Sequence, residues 1–293
     1  MLGHSNAGKT TYIALMYKVL NKPHGGFSLR STDTGAHNSL IRAADNVLKN
    51  RYPPATDQRA QYSMVLQHKG SDVFPFTWAD YRGGALGEYT DSPQAKQLHE
   101  DLKQADGIVV FIDAQRQLVE PEALGEIRLL VTHVIRALSE RPQDVPVPLT
   151  LVFTKTDLIK WNAAHRAMLY EPFEPLLGAI RASGTVHGAI IPVACGSKPS
   201  NVDRPVLRTL QYGIAGTIVK LAQEVKHYEE RAAYHDRNDT VGDRIVKWWR
   251  SETPHWKLAE QNKARAQERL VQAQKLQAPA KRLDRLLRGI DTF

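Results

Sequence analysis

The chain has few of the features that mark secreted or membrane-bound proteins. Among its 293 residues Cys195 is the single cysteine, so no intramolecular disulfide can form. A reducing compartment is therefore expected. The longest apolar runs, such as residues 108–112, are far too short to span a bilayer. The sequence also shows neither a leader with a charged and then an apolar part nor a lipid-attachment motif. These absences predict a cytoplasmic location.

Residue spacings that would indicate zinc or covalent catalysis are also lacking. The 11 histidines show no zinc-ligand spacing, and Cys195 has no second cysteine to join it. No convincing Ser/His/Asp arrangement is present either. The chemistry of the chain must therefore be sought in other motifs.

Charge is distributed unevenly and suggests two parts. Residues 244–293 contain 12 Lys and Arg against five Asp and Glu, whereas residues 1–243 contain 27 against 26. The formal net charge of +8 therefore belongs mainly to the C-terminal part. We predict a globular domain over residues 1–227 and a basic helical extension over residues 228–293.

Short apolar runs alternate with amphipathic segments through the first part. Strands are predicted at 61–68, 73–79, 108–113, 149–153 and 189–193. Helices are predicted at 10–21, 39–50, 121–140, around 161–169 and at 204–227. This alternation is typical of an α/β fold with a doubly wound, mostly parallel sheet. The extension shows no strand pattern, and we expect Pro254 and Pro279 to divide it into helical pieces.

The stretch GHSNAGKT at residues 3–10 matches the phosphate-binding pattern G-x-x-x-x-G-K-[ST]. Glycines allow the backbone to wrap closely around phosphates, and the helix that follows offers its N-terminus to an anion. Lys9 would reach the β- and γ-phosphates, and the Thr10 hydroxyl would ligate Mg²⁺. The predicted nucleotide contacts are Gly3, His4, Ser5, Asn6, Ala7, Gly8, Lys9, Thr10 and Thr11.

The residues before this loop are unusually few. A phosphate loop normally follows a buried strand, but only Met1 and Leu2 precede Gly3. We therefore expect the first strand to be missing: either the start of the sequence is truncated or misassigned, or the strand comes from elsewhere. The affinity of the loop would then depend on residues or partners outside this sequence.

Three later motifs narrow the choice of nucleotide. Asp80 and Gly83 form an Asp-x-x-Gly at a strand end, where the Asp would hold Mg²⁺ through water and the Gly N–H would contact the γ-phosphate. Thr154, Lys155 and Asp157 follow a buried strand as [NT]-K-x-D. The Asp carboxylate accepts from guanine N1–H and the exocyclic amine, a donor pair that adenine lacks. A backbone N–H in the Ala194-Cys195-Gly196 stretch would contact guanine O6.

The order of these motifs over residues 3–226 resembles that of TRAFAC-class, Ras-like GTPases. The long segment before Asp80, with YPPAT at residues 52–56 and DYRGG at 80–84, is more similar to bacterial double-GTPase-type domains found beside conflict and defence systems. The resemblance implies GTP and GDP as ligands, Mg²⁺ as cofactor, and a switch threonine that completes the metal shell. Thr56 fits that place best, with Thr32 and Thr34 as rivals.

One departure concerns hydrolysis. Ras-like proteins place a water-orienting Gln directly after the Asp-x-x-Gly motif, whereas this chain has Gly84 there. We predict slow intrinsic hydrolysis, no faster than about 10⁻⁴ to 10⁻³ s⁻¹, that needs a partner. Arg82 or Glu88 could substitute within the chain. Catalysis would then rest on Lys9, Gly83 and Arg82. Residues 25–60 and 81–95 are expected to order around the γ-phosphate and relax after its loss.

The basic extension suggests partners. Trp248, Trp249 and Trp256 lie among basic residues, a composition compatible with a protein partner or homo-oligomer, with nucleic acid, or with an anionic membrane. We interpret the chain as a GTP-hydrolysing switch that regulates a partner or an assembly, with bacterial defence as a candidate setting. The alternative is a non-catalytic nucleotide-binding scaffold whose helical tail mediates assembly.

Overall fold

A computed structural model describes residues 1–54, 59–81, 93–141, 146–240, 253 and 255–293. They form two compact units. The first comprises Met1–Gly213 and Leu283–Phe293, and the second comprises Ile214–Arg282. The two boundaries fall within the two longest helices, so each unit contains part of both helices.

The first unit alternates helices with strands. In chain order its elements are α1 (Lys9–Leu20), β1 (Phe27–Ser31), α2 (Thr34–Val47), β2 (Ala60–His68), β3 (Ser71–Asp80), α3 (Pro93–Gln104), β4 (Ile108–Asp113), α4 (Ala114–Val119), α5 (Glu122–Ser139), β5 (Val147–Thr154), α6 (Ala163–Tyr170), α7 (Glu174–Ser183) and β6 (Val186–Pro192). Then follow α8 (Arg204–Asn238), α9 (His255–Leu286) and β7 (Asp291–Thr292). A 3₁₀ turn, Thr156–Leu158, follows β5, and a second, Glu171–Phe173, precedes α7.

The strands form one antiparallel group and one largely parallel group. Strands β1, β2 and β3 pair antiparallel in that order. Strands β4, β5 and β6 pair parallel, and β7 adds antiparallel to β6. The predicted α/β class is confirmed. The antiparallel β2–β3 pair follows from its connection, because Lys69 and Gly70 both have positive φ and two-residue turns join only antiparallel strands.

Met1 and Leu2 lie where the first strand would be expected, but they form only an isolated bridge, and no strand precedes the phosphate loop among the described residues. The Leu2 N–H donates to Val109 O (2.9 Å), and the Phe111 N–H donates to Leu2 O (2.7 Å). On the other side the Met1 amino group donates to Ala79 O, and the Tyr81 N–H donates to Met1 O. These two residues thus bond to β3 and to β4 in a parallel pattern. They bridge the two strand groups immediately before the phosphate loop.

The core of this unit lies around the parallel strands. Every residue of β5 is buried, as are the first five residues of β4. Phe111, Phe153 and Phe173 are among the largest fully buried side chains. Strands buried on both faces read as continuous apolar runs, which explains why these two were predicted closely from sequence. They give the adjoining loops a rigid base.

The second unit is an antiparallel pair of helices. Arg269 in α9 contacts Glu224 in α8 (2.8 Å), and Lys263 contacts Asp236 (2.8 Å), so one helix runs against the other. Buried positions on α9 recur with three- and four-residue spacing, the pattern of a coiled-coil seam. They are Ala259, Asn262, Ala266, Ala273 and Leu276. No helix in the described part of the chain has the length and apolarity needed to cross a bilayer.

Two expectations for the C-terminal part are wrong. Pro279 lies inside α9 and does not divide it. Proline removes one helical hydrogen bond, at a cost of about 3 kcal/mol, and burial of the flanking Leu276 and Leu283 side chains offsets that cost. Asp291 and Thr292, predicted to be free of strand, form β7 because β6 offers them an open edge. Pro254 lies outside the described residues.

Candidate nucleotide-binding site

A cavity of about 470 Å³ lies between the phosphate loop and the loops that follow β5 and β6. This volume is in the usual range for ligand pockets. Of the predicted site residues it is lined by Ser5, Asn6, Ala7, Gly8, Lys9, Thr10, Thr11, Thr154, Lys155, Asp157 and Cys195. Gly3, His4, Asp80 and Ala194 are not part of this lining. Thr56, Arg82 and Gly83 lie outside the described residues, as do Gly84 and Glu88.

The phosphate loop is held close to β4 and β5. A Cβ on Gly3 would lie 2.5 Å from the Phe111 carbonyl oxygen, so only glycine fits there. Gly8 caps α1 with φ 82°, a conformation that glycine adopts without strain. Asn6 also has positive φ (64°), which asparagine tolerates better than most residues. The loop therefore places the N-terminus of α1 against the cavity.

Lys9 is folded back across the loop that precedes it. Its Nζ donates to Gly3 O (2.7 Å) and to His4 O (3.0 Å), and the residue is buried. Burial lowers the pKa of Lys9, and the nearby Asp80 carboxylate partly opposes this effect. The ammonium thus sits within the curl of the loop, where incoming phosphate oxygens would replace carbonyl oxygens as its acceptors.

Thr10 and Asp80 form the candidate metal site. The Thr10 hydroxyl lies 3.4 Å from Asp80 Oδ2. Asp80 Oδ1 is buried without a hydrogen-bond partner among the described residues, and burial raises the pKa of this carboxyl. A buried acceptor without a donor fits a cation, and an adjacent hydroxyl and carboxylate are the oxygen ligands that Mg²⁺ uses beside phosphates and water. The residues present therefore fit Mg²⁺.

Thr154 joins the guanine-reading loop to the phosphate loop. Its fully buried hydroxyl lies 3.0 Å from Ala7 O and 3.1 Å from Ile112 O, and one hydroxyl proton serves these two acceptors. Lys155 follows in the left-handed region with φ 56°, and its Nζ contacts Asp113 Oδ2. Threonine at the first motif position therefore links two loops that are 147 residues apart in sequence.

The space in front of Asp157 is kept open by a glycine. A Cβ on Gly196 would lie 3.1 Å from Asp157 Oδ2, so a side chain there would crowd the carboxylate. The Ala194 N–H donates to Ser200 O (3.2 Å), which leaves the N–H groups of Cys195 and Gly196 as candidates for the guanine O6 contact. Burial and the nearby Asp157 raise the pKa of the Cys195 thiol to about 12.

Several lining residues were not predicted from the sequence. Tyr52, Pro53 and Pro54 form one wall, and Gln115 contributes from α4. Tyr52, Pro53 and Pro54 belong to the YPPAT stretch quoted for its family resemblance, but that motif does not itself indicate that these residues line the cavity. Asp113 had a usable signal, because it ends a buried parallel strand at the same sheet edge as Thr154.

His4 faces a neighbouring cavity of about 710 Å³ rather than the nucleotide cavity. Its Nε2 lies 2.9 Å from Glu126 O, and since a carbonyl only accepts, Nε2 carries the proton. Arg116 pairs with both carboxylate oxygens of Glu126 (2.5 and 2.9 Å). Burial lowers the pKa of His4. His4 therefore anchors the phosphate loop to α5 from outside the nucleotide cavity.

The fold and this cavity define a P-loop nucleotide-binding protein. Residues 1–190 match the family model Double-GTPase 2. The chain belongs to the Double-GTPase 2 family, which confirms the predicted resemblance to P-loop GTPases of the double-GTPase type. Family membership supports guanine-nucleotide binding.

Similar solved structures are distant in sequence. One is the signal recognition particle receptor SRb-GTP/SRX complex from Chaetomium thermophilum, with 15% identity and a TM-score of 0.40 over 66% of this chain and 88% of that chain. Another is the S. cerevisiae Ski7 GTPase-like domain, bound to GTP, with 17% identity and a TM-score of 0.40. It is matched over 66% of this chain and 41% of its own length. No curated protein matches the chain.

Proposed function

We propose that the chain is a Mg²⁺-dependent GTP-hydrolysing switch. The observation that carries this proposal is that one cavity is lined both by Lys9 and Thr10 and by Asp157 and Gly196. The first two residues suit a chain of phosphates, and the second two suit a base that offers two adjacent donors. Guanosine nucleotides combine both features.

Each residue would have a distinct role in this reaction. Lys9 would neutralise the β- and γ-phosphates, and Thr10 and Asp80 would hold Mg²⁺, with Thr56 as the proposed further ligand. Held by these residues, Mg²⁺ would supply positive charge that offsets the negative charge developing on the phosphates during transfer. Gly83 would contact the γ-phosphate, and Arg82 would add charge near it. Positioning and electrostatics supply most of phosphoryl-transfer catalysis, so no covalent nucleophile is required.

Base recognition gives the sharpest test of the binding mode. The full chain and its Asp157→Asn variant are titrated with GDP, ATP and xanthosine diphosphate. Xanthine carries a carbonyl where guanine carries its amine, so an amide donor should accept it in place of guanine. We expect Asp157→Asn to lose GDP affinity by at least about 100-fold and to gain affinity for xanthosine diphosphate. Equal wild-type affinity for ATP and GDP would contradict guanine recognition.

Hydrolysis needs a separate measurement. Single-turnover rates are measured with the full chain, GTP and Mg²⁺, with Lys9→Ala as the inactive comparison. We expect a rate no faster than about 10⁻⁴ to 10⁻³ s⁻¹ because Gly84 supplies no side chain to orient water. A rate near 1 s⁻¹ would overturn the proposal that a partner is required. Tight GTP binding with no turnover in either protein would favour the non-catalytic scaffold.

The helical unit is proposed as the part that contacts partners. Trp256 and Tyr234 expose 46% and 60% of their surface, which is unusual for large aromatic residues. Trp248 and Trp249 lie outside the described residues. A protein partner or a second copy is the favoured occupant, and a steep fall of binding with salt would indicate nucleic acid instead. A cytoplasmic role in bacterial defence, and regulation of an assembly there, remain part of this proposal.

A further inference from the structure

Lys155 and Asp113 form an ion pair where two parallel strands end. Asp113 is the last residue of β4 and stands opposite Thr154, the last residue of β5. Lys155 follows directly, and its Nζ contacts Asp113 Oδ2. The Asp113 side chain is 10% exposed and the Lys155 side chain is 36% exposed, so the pair is partly shielded from solvent.

Lys155 has an unusual backbone conformation, which the ion pair with Asp113 would help to hold. With φ 56° and ψ 30° the residue is left-handed, a conformation that is strained for a residue that carries a side chain. Lys155 lines both the nucleotide cavity and the neighbouring cavity that contains His4. The direction of its side chain therefore bears on the shape of the space beside Asp157, which also lines the nucleotide cavity.

Asp113 uses its two carboxylate oxygens for different partners. Oδ1 accepts from the Arg116 N–H (3.0 Å) and caps α4, whereas Oδ2 holds Lys155. We propose that Asp113 is a positioning residue for guanine-nucleotide binding, which acts by fixing Lys155 along the base. This inference rests on the proposed function in one respect: it takes the ligand to be a guanine nucleotide.

Replacing Asp113 with asparagine separates the capping of α4 from the ion pair with Lys155. Asp113→Asn keeps an oxygen to cap α4 but leaves no negative charge opposite Lys155. We expect GDP affinity to fall about 10-fold, since charge-assisted contacts are about twice as strong as neutral ones. Lys155→Met keeps an apolar stem and removes the ammonium, and should cause a similar loss. GDP dissociation constants are measured for both variants and for the double variant.

The double variant tests whether Asp113 acts through Lys155. If it does, the double variant binds GDP no more weakly than Lys155→Met alone. Wild-type affinity in Asp113→Asn, or losses that multiply in the double variant, would overturn the proposal. Asp33→Asn is the matched control, because Asp33 caps α2 in the same way and lies outside the cavity lining. Asp33 is in the segment expected to order around the γ-phosphate, which GDP lacks, so GDP is the ligand used. Asp33→Asn should leave GDP affinity unchanged.

A readout without nucleotide keeps this inference distinct from the proposed function. Hydrogen exchange of residues 155–158 is followed in the nucleotide-free chain. We expect exchange to rise several-fold in Asp113→Asn and to stay at the wild-type rate in Asp33→Asn. A chain that bound no guanine nucleotide would sink the proposed function, while unchanged exchange in Asp113→Asn would sink the positioning role by itself.

Discussion

At the scale of single residues, the site depends on buried polar groups and their hydrogen bonds. The Thr154 hydroxyl lies within hydrogen-bond distance of two backbone carbonyl oxygens, and the Lys9 ammonium donates to two others. Asp80 keeps one buried oxygen without a donor among the described residues. Because an unsatisfied buried acceptor costs about 1–3 kcal/mol, this oxygen marks a place where a ligand would be stabilising. A cation bound to this oxygen would remove the free-energy cost of leaving it unsatisfied, and that gain would contribute to cation affinity.

Cys195 permits a test of the environment beside Asp157. Its thiol pKa is raised to about 12, so at pH 8 it should react with iodoacetamide roughly 1,000-fold more slowly than an ordinary thiol. The measurement is the alkylation rate of the native chain, followed by mass spectrometry. Because the chain has one cysteine, the urea-unfolded protein provides the reference rate. Equal native and unfolded rates would show that the thiol is accessible and ionised.

The same pKa shift sets a dependence of stability on pH. The folded thiol keeps its proton up to about pH 12, whereas the unfolded thiol loses it near pH 9. The contribution is therefore complete below pH 9 and declines between pH 9 and 12. Between pH 8 and 10 the wild type should lose about 1 kcal/mol more unfolding free energy than Cys195→Ala. Parallel pH profiles of the two proteins in urea denaturation would contradict this.

At the scale of elements, the helical pair depends on small residues at its seam. Ala259, Ala266 and Ala273 recur every seven residues on α9 and are buried. Ala266→Leu should lower the free energy of unfolding by about 1–3 kcal/mol, because added methylenes in a packed interface force the helices apart. Ala264→Leu is the matched control, since Ala264 is exposed on the same turn. Thermal denaturation followed by circular dichroism compares them; equal melting temperatures would mean that the seam is not tightly packed.

Elements differ in how well local pattern predicted them. Strands β4 and β5 were predicted because strands that are buried on both faces have continuous apolar sequences. Strand β1 was missed because Phe27–Ser31 is only five residues long and directly follows the turn residues Gly25 and Gly26. Helix α7 was missed for a similar reason, since Pro175 and Gly178 weaken its pattern while burial of Leu176 and Ile180 stabilises it. In both cases tertiary packing outweighs local propensity.

At the scale of the whole first unit, the sheet brings together segments that are remote in sequence. The phosphate loop and the guanine-reading loop could be predicted because each motif is short and contiguous. Tyr52 could not, since its place against the cavity depends on the path of the α2–β2 segment. The bridge made by Met1 and Leu2 could not either, because two residues carry no periodicity. The positions that could not be predicted are therefore determined by tertiary contacts rather than by local motifs.

The last strand gives the final test of this assembly. Phe293 exchanges two hydrogen bonds of 3.2 Å with Gly188, and β7 pairs with β6 beyond them. A Cβ on Gly188 would lie 2.1 Å from the Phe293 ring. Gly188→Ala should therefore displace Phe293, lower the free energy of unfolding by about 1–3 kcal/mol and speed hydrogen exchange at residues 291–293.

A second change distinguishes this clash from a general effect of alanine. Phe293→Ala in the Gly188→Ala background removes the ring that the new methyl meets, so the double variant should be more stable than Gly188→Ala alone. Gly178→Ala is the control, because nothing lies within 4 Å of its added Cβ and alanine favours the helix. Urea denaturation orders the five proteins: the wild type, Gly188→Ala, Phe293→Ala, the double variant and Gly178→Ala. If the losses of unfolding free energy are additive in the double variant, Phe293 does not pack on Gly188. Packing of the Phe293 side chain would then not contribute to the attachment of β7 to the sheet.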